Sequence, residues 1–171
     1  MAHQLYIKDG KAAMMYVGEE PWHGLGVKLD CPPTSQGAIC AAGLDWEVAK
    51  YPLYVQYGRE NQFMKKVDRL ALMPADRINH QDCPVFGIVG RDYGIVQNKD
   101  AFSFFDPIIK DSLANYETAG ALGEGERVWI LAKIPQDIVV HKGDEIHKYL
   151  LLVNHHTGLA SVQIKLTPVR V

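Results

Sequence analysis

Cysteine is scarce in this sequence. Cys31, Cys40 and Cys83 are an odd number, without C-x-x-C spacing, in a chain of 171 residues. No disulfide framework is expected, and a reducing cytoplasm is the natural setting. Long apolar runs are missing too, so no membrane contact is expected. The first residues, M-A-H-Q-L-Y-I-K, lack the apolar centre of a signal peptide. Charge of either sign is not in large excess: the net charge is −2 and the isoelectric point about 6.4. That balance argues against the broad basic surface of most duplex-DNA binders, while leaving room for a small basic groove. There is no nucleophile elbow, P-loop, H-E-x-x-H or paired zinc-ligand motif. The chain therefore reads as a non-enzyme, with no catalytic residue, cofactor or metal expected. Seven histidines invite a metal, but His155 and His156 are adjacent on a strand and point to opposite faces. His141 and His147 flank a hairpin with no carboxylate or cysteine at ligand spacing. The cysteines read as small apolar side chains.

What is present is an ordinary core-forming composition, 47% hydrophobic and 22% charged. It predicts one α+β domain over residues 1–171, a mainly antiparallel meander with one or two packed helices, and a soft division near residue 75. Residues 4–8 and 11–17 read as a hairpin across Asp9-Gly10. Thr34 or Ser35 should cap a short helix with Ile39, Cys40 and Leu44 on its apolar face and Gly43 at its end. Residues 45–57 and 62–73 read as strands, 75–83 as a polar loop, and 84–90 with 93–97 as a strand pair. Asn98 looks like the N-cap of a helix over 99–113, with Phe102, Phe105, Ile109 and Leu113 on one face and Pro107 as a kink. Strands at 116–122, 127–134, 138–141, 147–155 and 161–171 complete a meander.

Two regions carry binding chemistry. The run Tyr16–Gly26, Y-V-G-E-E-P-W-H-G-L-G, is a built loop containing Trp22, His23, Gly24 and Gly26. The favoured reading is a buried plug: Trp22 fills a hole in the sheet, His23 bonds a backbone carbonyl, and Gly24 or Gly26 adopts positive φ. The competing reading is a recognition tip. The second region is a polar strand face with Gln163, Lys165 and Thr167, joined by Arg127 and Lys133 on a neighbouring strand and by Arg170. Trp129 or Tyr149 would supply the stacking surface that single-strand binding requires. An ordinary solvated face is the alternative.

Several segments, in order, resemble the phage/plasmid-like family catalogued as domain of unknown function 932. They are Y-V-G-E-E-P-W-H-G-L-G, A-A-G-L-D-W-E-V at 41–48, G-I-V-G-R-D-Y-G-I-V-Q at 87–97, E-T-A-G-A-L at 117–122, R-V-W-I-L-A at 127–132, Y-L-L-L at 149–152 and L-T-P-V-R-V at 166–171. Members of that family usually continue into a helical second half, so the resemblance implies the N-terminal part of a longer architecture. A mobile-element origin and a helix-then-meander order imply a protein that binds or anneals single-stranded DNA in recombination or replication, able to assemble with copies of itself. The alternative partner is a host or phage protein complex, as for a phage-encoded inhibitor of a host defence system. Acidity and the lack of catalytic motifs suit that second class.

Overall fold

The computed structural model describes residues 4–111, 113–141 and 144–170; for 136–141, 144–145 and 169–170 the description covers backbone alone. The chain opens with a small hairpin, β1 (Ile7–Lys8) and β2 (Lys11–Ala12), turned by Asp9 and Gly10 at φ of 51° and 76°. Two successive positive φ values are what a tight hairpin turn requires. The pairing ends at Ala12, because β3 (Met14–Val17) joins a different sheet beside β4 (Val27–Leu29). Helix α1 (Ser35–Ala41) starts at Thr34, whose side-chain oxygen accepts the Gly37 N–H at 3.2 Å. Its buried side chains are Ser35, Ala38 and Ile39; Cys40, assigned to this face from the sequence, is exposed and accepts from Gln36. Cys31 is exposed as well, so neither acts as a core residue.

Next come β5 (Val48–Tyr57), β6 (Phe63–Pro74), a 3-10 turn at Ala75–Arg77 and β7 (Gly87–Val89), which form a three-stranded sheet in that order. The strand expected at 93–97 is not formed. In its place the Gln97 carboxamide bonds both backbone groups of Val48, at 2.9 and 2.8 Å, doing with a side chain what a strand would have done. Helix α2 (Asn98–Asp111) runs through Pro107, which is exposed. Leu113, expected on its buried face, lies beyond the helix end and is 73% exposed. Strands β8 (Asn115–Leu122), β9 (Arg127–His141), β10 (Asp144–His155) and β11 (Gln163–Arg170) form an antiparallel meander. The break read at Gln136 is a bulge within one long strand: three residues of β9, 135–137, stand opposite position 147 of β10.

The main sheet has the order β11-β10-β9-β8-β3-β4. Its inner face carries Ala119, Val128, Ile130, Ala132 and Leu152, all fully buried against the α2 residues Phe102, Phe105 and Ile109. The expected packing of α2 on the meander through those three side chains is therefore present. At the junction with the smaller sheet, Trp46 packs on Phe86 and edge-on to His156, with centroids 5.9 and 5.6 Å apart. The structure is thus an α+β fold dominated by antiparallel strands. Among the described residues no helix is long and apolar enough to cross a membrane.

Candidate nucleic-acid interface

Cross-strand partners share a face of a sheet, so the register shows which side chains meet. Gln163 stands beside Val153, Val153 beside Trp129, and Trp129 beside Gly120. One step along, Lys165, Leu151, Leu131 and Thr118 form a parallel row. The next contains Thr167, Tyr149 and Lys133, and at the opposite end Arg127 faces His155. Arg127, Trp129, Lys133, Gln163 and Lys165, chosen from two separate strands, therefore lie on one outer face. The helices cover the other face.

The Trp129 ring packs over Gly120 on this face. A Cβ at Gly120 would meet Trp129 Cζ2 at 3.1 Å and the Ala13 carbonyl oxygen at 2.8 Å. Trp129 remains partly open to solvent, whereas Tyr149 is buried to 9% exposure. Of the two aromatics proposed for stacking, only the indole presents surface. Met14 and Tyr16 extend the same face onto β3 but are buried. Local pattern does not announce this extension, because the β3–β8 pairing joins Met14 to Gly120, far apart in the chain.

The charges named for this face are cationic, and Glu117 lines the same hollow as Lys133. Lys133 and Lys165 have no ion-pair partner among the described residues, and Lys165 is exposed. Arg127 is partly engaged, donating to Gln4 Oε1 at 3.2 Å and lying 3.8 Å from Glu126. Between them sits His155, whose imidazole is pushed below its ordinary range first by burial and then by the charges of Arg127 and Lys165. A proton is disfavoured there chiefly because the ring is desolvated and further because two cations lie nearby. Arg170 has its side chain outside the described residues.

The loop before β4 contradicts the plug reading. Trp22 is 80% exposed. Gly24 and Gly26 do adopt positive φ, at 65° and 109°. Gly26 brings the chain back beside β3: a Cβ there would stand 3.1 Å from the Met14 carbonyl oxygen. His23 accepts the Leu25 N–H through Nδ1 at 3.1 Å, and its ring meets Trp22 edge-on at 5.6 Å. The buried indole is Trp46, 6% exposed, in the space where the two sheets meet. Glycine density marked a tight turn and did not mark burial.

A polar network also escaped sequence reading. Asn98 begins α2 as expected, but its amide reaches away from the helix: Nδ2 donates to the Leu44 carbonyl at 3.1 Å and Oδ1 lies 2.8 Å from His156 Nε2. Burial, with a smaller effect from His155, holds the His156 pKa down at about 4. The neutral ring then donates Nε2–H to Asn98. Cys83 has its thiol pushed up by burial, which disfavours the thiolate. Among the described residues no group of three histidine, cysteine or acidic side chains could hold a metal.

Comparison with curated proteins finds no match, and comparison with solved structures finds none either. A family model does match, over residues 85–171, just over half of the chain and its C-terminal part. That segment includes α2 and the whole meander, so every strand that contributes Arg127, Trp129, Lys133, Gln163 and Lys165 lies within it. On a match of this extent, the chain belongs to the family described as Domain of unknown function (DUF932).

Proposed function

We propose that this chain is a non-enzymatic, mobile-element protein that binds single-stranded DNA across the outer face of its main sheet, in recombination or replication. The observation that carries this reading is the register, which puts the partly open Trp129 indole among Arg127, Lys133 and Lys165. An aromatic platform bordered by cations is the arrangement by which single strands are held without base preference. The cations bind phosphates, and the indole stacks on a base. Binding is expected to be weak and salt-sensitive, and to favour single strands over duplex, because stacking needs an unpaired base.

Fluorescence anisotropy with a labelled oligonucleotide at about 50 mM salt tests this, since electrostatic attraction is strong there. Failure of the chain to bind a single strand under that condition refutes the DNA reading. The second reading is a protein-binding module directed at a host complex. The specific observation favouring it is Trp22, a large aromatic 80% exposed on a glycine-shaped loop. Exposed tryptophans are common energetic centres of protein interfaces. Trp22→Ala would then abolish capture of the partner while leaving the melting temperature unchanged.

A further inference from the structure

The hairpin of β5 and β6 extends well past the body. Its register holds Val48 opposite Pro74 at the base and Tyr57 opposite Phe63 at the tip. Ten residues of strand at about 3.3 Å each make β5 roughly 33 Å long. Only the base is covered: every residue from 54 to 66 is exposed. That stretch mixes charged residues with large apolar ones. Tyr57 and Phe63 are each 52% exposed and Met64 65%, and Tyr54 and Val55 are exposed beside them.

An isolated two-stranded ribbon is marginally stable in water, and contiguous exposed apolar surface of this kind marks a contact site. Charge identifies the occupant. Residues 50–69 carry Lys50, Arg59, Lys65, Lys66 and Arg69 against Glu60 and Asp68, a net +3 in a chain whose total is −2. Asp68 is already paired with Arg91 outside the ribbon. Arg59, Lys65 and Lys66 have no ion-pair partner among the described residues. The cations also alternate with rings. Lys66 stands opposite Tyr54 on one side of the ribbon, and Lys65 opposite Val55 next to the Tyr57–Phe63 pair on the other. The ring centroids of that pair are 5.5 Å apart.

We propose that the β5–β6 hairpin is a second nucleic-acid-binding element, an arm that holds single-stranded DNA through phosphate contacts to Arg59, Lys65 and Lys66 and base stacking on Tyr54, Tyr57 and Phe63. A polyanion with unpaired bases satisfies both features of the arm at once. The inference rests on the reading of the chain as a single-strand binder, but it uses residues none of which lies on the main sheet.

The test is anisotropy of the full chain with a fluorescein-labelled thymidine oligonucleotide, across a salt series. Two variants are compared, R59E/K65E/K66E and Y57A/F63A, with melting temperature as the folding control. The charge variant is expected to bind at least ~10-fold more weakly and to lower the log–log salt slope by about 2, at roughly 0.7 per phosphate contact. The aromatic variant is expected to lose about 5-fold or more with an unchanged slope, because stacking releases no counterions. If both bind like the unmodified chain while Lys165→Glu is weakened, the arm is refuted and the sheet face stands. Loss of self-association in sedimentation, with DNA binding unaltered, overturns the proposal in favour of a second copy as occupant. Absence of binding by the unmodified chain overturns the arm and the sheet face together.

Discussion

Lys165 and Trp129 divide the work of the outer face, and substitution separates them. Lys165→Glu should weaken binding to all sequences about equally, because phosphate contacts carry no base information; competition with oligonucleotides of different composition measures this. Trp129→Ala should cost about 1–3 kcal/mol of binding if a base stacks on the indole, read as a change in Kd. His156 gives a stability prediction. Its folded pKa, about 4, lies below the ordinary 6.5. The unfolded chain therefore takes up the proton first as pH falls. The contribution is complete above about pH 6.5 and is lost progressively down to about pH 4, an effect of the order of 3 kcal/mol. Urea midpoints at pH 7 and pH 5 should differ, and His156→Gln should reduce the difference. At this scale the sequence was an uneven guide. Residue type identified Arg127, Lys133 and Lys165 as a cationic set, because alternation along a strand is local. It misplaced Trp22 and Cys40, because burial depends on what arrives from elsewhere in the chain.

Helix α2 and the meander are the elements that the sequence described best. Their periods are strong: Phe102, Phe105 and Ile109 fall on one helical face, and Val128, Ile130 and Ala132 on one strand face, and all six are buried. Phe105→Ala should cost about 3–5 kcal/mol, measurable by denaturant unfolding, since the ring is 0% exposed. Elements defined by distant partners were less legible. The strand read at 93–97 is replaced by the Gln97 side chain on Val48, and no pattern in residues 93–97 announces that substitution. The split at Gln136 became a bulge, because turn-forming composition cannot tell a hairpin from extra residues within a strand. Gly120 shows how closely β8 and the outer face are fitted. Gly120→Ala should destabilise the fold by about 1–3 kcal/mol and change the near-ultraviolet circular dichroism of Trp129, because the new methyl group would reach both the indole and the Ala13 carbonyl.

Across the whole molecule, the division of charge is the feature that composition concealed. A total of −2 was reason to doubt nucleic-acid binding, yet the sum averages a cationic ribbon and a cationic sheet face with an acidic remainder. Position decides what a partner meets. The extent of the sheet has its own implication. Its outermost strand, β11, pairs with β10 along one side, and Pro168 sits within it. Proline survives inside a sheet on edge strands, where its missing donor interrupts no ladder. Lys165 adds a charge to the same strand. Edges guarded in this way resist templated pairing with the strands of other molecules. Replacing Pro168 with threonine would add a backbone donor to this edge strand, and light scattering of concentrated protein should then rise faster on mild heating.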